Sequence, residues 1–98
     1  MGRKSSYLEQ IDKFIGRKIY FLRLAKGLSR AELSKVIDVT YQQLQKYENG
    51  TNRVSASRLL LIAKALEHEI PYFYGGFERS DNRGARYCKK VASLNKSN

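Results

Sequence analysis

The run Ser29–Gly50, SRAELSKVIDVTYQQLQKYENG, carries two helix-start signals close together. Ser29 with Glu32, and Thr40 with Gln43, both fit the capping box. In that motif the first side chain accepts from the backbone N–H three residues on, and the second reaches back. Starts this close leave room for roughly two turns of helix and a tight bend, the geometry of a helix-turn-helix. The spacing predicts a first helix with Leu33, Val36 and Ile37 on one face, ending around Ile37-Asp38. A second helix turns Val39, Leu44 and Tyr47 inward and stops at Gly50, a natural C′ residue. The motif therefore covers about residues 29–49.

Upstream, Ile15, Ile19, Leu22 and Ala25 recur at helical spacing, and Ile11 extends the stripe backwards. Asp12 is placed to be the N-cap and Gly27 to stop the helix after Lys26, with Gly16 a mild weakening in its first turn. Downstream, residues 49–53 read as loop. Ser55 caps a helix with Leu59, Ile62, Ala63 and Leu66 on its apolar face, and Leu60 and Leu61 add more apolar surface than one face needs. Ile70-Pro71 opens a last short helix carrying Phe73 and Phe77, with Gly75-Gly76 near its end. The expected fold is all-α, with five compact helices over residues 11–77. Residues 1–10 form a flexible basic leader. Residues 78–98 are expected to be a flexible, disordered basic tail with only Tyr87, Val91 and Leu94 as candidate anchors.

The composition narrows the function. Of 98 residues, 42% are hydrophobic, enough for one core, and the formal net charge is +10. Such a charge calls for an anionic partner, with nucleic acid the first candidate. The basic excess sits at the front and in the tail, while residues 28–77 are nearly neutral. No apolar run approaches the roughly 18 residues of a membrane span, and the start MGRKSSYLEQ has no signal-peptide core. Met1-Gly2 with Ser6 fits a myristoylation pattern, but Arg3 and Lys4 suit a plain leader equally well. Cys88 is alone and has no Cys or His neighbours for zinc. A cytoplasmic, nucleoid-associated protein follows, with no metal, no cofactor and no catalytic set. His68 reads as a helix end, Ser93-Leu-Asn-Lys96 as a chance match, and Asn49-Gly-Thr51 as a sequon on paper only.

The wording LSRAELSKVIDVTYQQLQKYENG, followed by NRVSASRLLLIAKAL, resembles the Cro/repressor-type, XRE-like helix-turn-helix regulators, with their lambda-repressor-like fold. It is most similar in character to small α-proteobacterial members, and the likeness covers residues 11–77. The resemblance implies that the third helix, about residues 41–48, enters the DNA major groove. The residues suit that role on their own chemistry. Positions 41, 42, 45, 46 and 49 share one outer face. Gln42 can pair two-pronged with adenine, Lys46 with guanine, and Tyr41 can press on a thymine methyl or reach a phosphate; Gln45 offers a further direct or water-mediated base contact. Arg30, Thr40, Asn49, Arg53, Arg17 and Lys18 are the phosphate candidates, Arg30 standing where the family usually has Gln.

By the same resemblance, Arg23 and Glu48 form a buried structural ion pair. Ser34 and Asp38 depart from the family's usual Ala and Gly, so Ser34 needs a hydroxyl partner and Asp38 must bear a left-handed turn. The family implies sequence-specific binding to a double-stranded DNA operator by a transcriptional repressor or other regulator. It also implies homodimers on half-sites about one helical turn, roughly 34 Å, apart. Leu60, Leu61, Tyr72, Phe73, Tyr74 and Phe77 either form the dimer surface or close the monomer core. A second reading is an antitoxin or protein-interaction module whose residues 78–98 fold on a protein partner.

Overall fold

The computed structural model describes residues 6–77. They form four α-helices, α1 (Ser6–Lys26), α2 (Arg30–Val36), α3 (Tyr41–Asn49) and α4 (Ala56–Leu66). A 3₁₀ helix (Ile70–Phe73) follows, and there is no strand among the described residues. The expected fifth helix is thus a single 3₁₀ turn. Pro71 opens it and Tyr74 already closes it, too short a run for an α-helical ladder to establish itself. Residues 78–98, with Tyr87, Val91, Leu94 and Cys88, lie outside the described residues.

α1 begins at Ser6, earlier than the apolar stripe suggests, so residues 6–10 of the expected leader are helical. Asp12 is not its cap. It lies inside the helix, buried, with Oδ2 at 3.5 Å from Nε of Arg53. A helix interior accepts a carboxylate there because a cation from the α3–α4 loop meets it, a contact no local pattern announces.

The two helix starts at the centre form as the spacing predicts, with one difference. Ser29 Oγ accepts from the Glu32 N–H at 3.0 Å, and Glu32 Oε1 accepts from the Ser29 N–H at 2.7 Å. These bonds from Ser29 hold the Glu32 carboxyl below the usual carboxylate range. Thr40 Oγ1 likewise accepts from the Gln43 N–H at 3.0 Å, but the reciprocal half of the box is seen at Ser29 and not at Thr40. Ser55 caps α4 by accepting from the Arg58 N–H at 3.1 Å. α3 ends at Gly50, whose φ of 80° is the left-handed conformation a helix stop requires.

Both departures from the family pattern are absorbed locally. Ser34 is buried, and its hydroxyl donates to the Ala31 carbonyl at 2.9 Å, inside its own helix. Asp38 takes φ 60° in the turn between α2 and α3, the left-handed conformation that Asp tolerates better than most residues.

The core gathers Ile15 and Ile19 of α1, Leu33 and Ile37 at α2, and Leu44 and Tyr47 of α3. Leu59, Ile62, Ala63 and Leu66 of α4 and Phe73 complete it. Three expectations change here. Val36 is exposed, because α2 turns only Leu33, Ser34 and the following Ile37 inward. Ala25 is exposed, and on α1 the buried position near the end of the stripe belongs to Arg23. Phe73 is fully buried, so it closes the monomer core and leaves the dimer-surface set.

Gly16 marks where α1 crosses α3. A Cβ there would overlap the Tyr47 carbonyl oxygen and sit 2.6 Å from that of Glu48. The glycine that weakens α1 in isolation is what lets the two helix backbones touch.

Candidate nucleic-acid interface

α3 is nine residues long and is anchored by Leu44, Tyr47 and Glu48, all buried. At about 100° per residue, set by 3.6 residues per turn, the opposite face consists of Gln42, Lys46 and Asn49, with Gln45 and Tyr41 at its flank. All five are exposed. Apart from Lys46, this face is uncharged: two amides and a phenol stand beside one cation, with Asn49 closing the row.

The anchor is electrostatic as well as apolar. Arg23 of α1 meets Glu48 two-pronged, Nε to Oε2 at 2.7 Å and Nη2 to Oε1 at 3.2 Å, with both side chains almost fully buried. Its third donor, Nη1, reaches the Leu28 carbonyl at 3.0 Å and fixes the bend between α1 and α2. Arg30 of α2 then adds Nε to Oε1 of Glu48 at 3.0 Å. One carboxylate thus joins three helices.

Arg30 makes a further contact, donating from Nη1 to the Tyr41 hydroxyl at 3.2 Å, with its guanidinium carbon 5.5 Å from the ring centroid. Burial opposes its charge, yet the bonds to Tyr41 and Glu48 outweigh that and raise its pKa above the usual arginine value. The sequence offered Arg30 only as a phosphate contact. The structure also makes it the buttress of Tyr41 at the start of α3, while leaving it partly exposed.

The other phosphate candidates divide. Thr40 stands at the N-terminus of α3 with its hydroxyl engaged in the cap. Asn49 Oδ1 accepts from the Thr51 N–H at 2.9 Å, which leaves its amide N–H₂ as a donor at the other end of α3. Arg17 is exposed on α1 and shares a surface hollow with Asn49. Arg53 is half exposed and faces Asp12. Lys18 is not brought to this face: its Nζ lies 4.7 Å from the Tyr72 ring centroid and 5.6 Å from that of Phe14, beside the 3₁₀ turn.

Two residues went unnoticed in the sequence. Arg58 Nη1 donates to the carbonyl of Ile37 at 2.7 Å and so caps the end of α2; it belongs to the SASRL run that carried part of the family likeness. Lys13 lies beside Asn49 and Gly50, and only its helical register with Arg17 could have flagged it.

Away from this face, Leu60, Leu61, Tyr72 and Tyr74 are 40–46% exposed on α4 and the 3₁₀ turn. Phe77 is half-buried, its ring 5.4 Å from Phe14 and 5.9 Å from Tyr7. His68 stacks on Tyr72 at 4.5 Å. Among the described residues no group of His, Cys, Asp and Glu is arranged to hold a metal, and no helix is long and apolar enough to cross a membrane.

Comparison with known proteins agrees with the fold. Residues 19–73 match the family model described as helix-turn-helix. An uncharacterised HTH-type transcriptional regulator of Rickettsia conorii is 60% identical over 81 residues, 83% of this chain and 65% of that protein. A regulator in the ATPase CF(0) region of Rhodospirillum rubrum, itself uncharacterised, is 45% identical over 76 residues, 78% of this chain and 70% of its own length. The chain thus spans somewhat less than two-thirds of the first of these relatives. Among solved structures, the restriction-modification controller protein C.AhdI of Aeromonas hydrophila aligns with TM-score 0.60 at 31% identity, covering 65% of this chain and 96% of that one. The clp gene regulator ClgR of Corynebacterium glutamicum shares the fold at TM-score 0.68 and 22% identity, over 89% of this chain and 93% of its own. The chain belongs to the helix-turn-helix family of transcriptional regulators, in its Cro/repressor or XRE-like branch.

Proposed function

We propose that the protein is a sequence-specific double-stranded DNA-binding regulator that places α3 in the major groove. The observation that carries this reading is the division of α3 into a held side and a free side. Glu48 is fixed by arginines from two other helices, while the side chains of Gln42, Gln45 and Lys46 stand exposed. Side-chain amides and a cation at this spacing match the donor and acceptor edges of adenine and guanine. Tyr41, steadied by Arg30, borders the reading face at its N-terminal end.

Phosphates on either side set the register of the helix. Arg30 and Thr40 serve one end, and Asn49 with Arg17 serves the other. Arg53, partly engaged by Asp12, is a secondary contact. The protein acts by occupancy and performs no chemistry, within the nucleoid of the cytoplasm. It works as a two-fold homodimer through the exposed Leu60, Leu61, Tyr72 and Tyr74 face. The relatives named as transcriptional regulators support the same reading.

Selection of binding sites from random duplexes at two salt concentrations tests the proposal. Non-specific affinity falls steeply with salt, so a specific binder keeps enriching one sequence at the higher concentration. Enrichment of a motif with two related halves is the expected result. Binding that fades with salt and never enriches any sequence would overturn it.

A further inference from the structure

We infer that Lys13 joins Arg17 to complete, on α1, the phosphate-binding site for the DNA strand that passes the C-terminal end of α3. This inference rests on the groove reading proposed above and extends it. α3 has nine residues, about 13.5 Å at 1.5 Å per residue, and the major groove is about 12 Å wide. A helix about as long as the groove is wide brings one backbone strand near each of its ends.

The two ends are not equivalent. At the N-terminus the helix dipole favours an anion, and Arg30 and Thr40 stand there. At the C-terminus the dipole opposes an anion, so a phosphate there needs cations from another element. α1 crosses α3 at that end, through the close approach at Gly16, and delivers them. A hollow of about 280 Å³ is lined by Lys13, Arg17, Tyr20, Phe21, Glu48 and Asn49. Glu48 does not cancel its positive charge, because both carboxylate oxygens are already held by Arg23 and Arg30. Among the described residues, neither Lys13 nor Arg17 has an acid within ion-pair distance.

The other walls suit a sugar–phosphate. Asn49 keeps its amide donor, since its oxygen is the atom bonded to Thr51. Tyr20 and Phe21 pack edge to face at 5.3 Å and present exposed ring surface to the hollow. Apolar ring surface beside two cations matches deoxyribose next to its phosphate. The adjoining hollow, which Lys13 also lines, contains Glu9. That carboxylate confines the anion to the Arg17 side.

The test uses the full chain and its selected duplex. Substituting Lys13→Ala and Arg17→Ala together should lower the slope of log affinity against log salt by about 0.9, the value for one neutralised phosphate. Base preference should not change. Lys18→Ala, whose side chain lies over Tyr72 instead, should leave the slope as it is. A second arm needs no variant for its first reading. Neutral methylphosphonates are placed one at a time along the duplex, and at one position the wild-type protein should lose affinity several-fold. At that position the double variant should lose nothing further. A double variant with the wild-type slope, on a wild-type protein that still selects its sequence, would overturn this site alone. A wild-type protein that selects no sequence would remove the groove reading and this site with it.

Discussion

At the scale of single residues, Glu48 decides most. Its carboxylate receives three guanidinium donors from two arginines, inside a nearly dry junction of α1, α2 and α3. Removing one partner of a buried pair strands the other charge and costs about 3–5 kcal/mol. Glu48→Ala strands Arg23 outright, so urea unfolding should show a loss in that range. Arg30→Ala leaves the Arg23 pair intact and removes a partly exposed partner, so it should cost about 1 kcal/mol or less. Equal losses in the two variants would contradict this division of labour. In the sequence, the Arg23–Glu48 pair followed from family likeness, since partners 25 positions apart leave no local mark. Arg30 joining the same carboxylate, and Arg53 meeting Asp12 across 41 positions, were hidden for the same reason. Periodicity reports which face a residue occupies, not which distant charge waits there. Asp12 therefore looked like a cap, and Lys18 like a phosphate contact when it packs on aromatic rings.

At the scale of elements, caps and stops were the legible part. Ser29, Thr40, Ser55, Gly27 and Gly50 all act through hydrogen bonds or dihedrals within a few residues, and each stands where local chemistry placed it. Crossings were not legible. Gly16 looked like a small defect of α1, yet it is the point where that helix touches the backbone of α3. Gly16→Ala should gain up to about 1 kcal/mol of helix propensity if only α1 mattered. Because the added methyl meets backbone carbonyls that cannot rotate away, a net loss of about 1–3 kcal/mol is expected instead. Urea midpoints decide the sign, and a more stable variant would mean that α1 and α3 are not in backbone contact. The short α2 and the 3₁₀ turn explain the misplaced apolar residues. With so few turns, each helix has too few inward positions for a stripe to average over, so Val36 is exposed where its spacing suggests an inward place, and Phe73, open to either role, is buried.

At the scale of the molecule, two surfaces have opposite character. The α3 face is polar and framed by cations, as the charge of +10 anticipates. The α4 and 3₁₀ face exposes Leu60, Leu61, Tyr72 and Tyr74, while Phe73 beneath them belongs to the core. The sequence could not separate these roles, because three consecutive aromatic residues, Tyr72, Phe73 and Tyr74, fit a core and a surface equally well. Sedimentation at tens of micromolar, roughly where weak association becomes visible, should show a dimer. Replacing Leu60 and Leu61 together by Glu should give a monomer that melts as the wild type does, since both side chains are exposed. A wild-type protein that stays monomeric with and without DNA would remove the dimer from the account.

The central claim is that α3 reads base edges with side chains the fold leaves free. Its most direct measurement compares Gln42→Ala with Arg30→Ala on the selected duplex and on its single-base variants. Gln42→Ala should relax preference at one base pair by about 1–3 kcal/mol and leave the other positions unchanged. Arg30→Ala should weaken every sequence to a similar degree. Undiminished selectivity at every position in the Gln42 variant would contradict the placement of α3 in the groove.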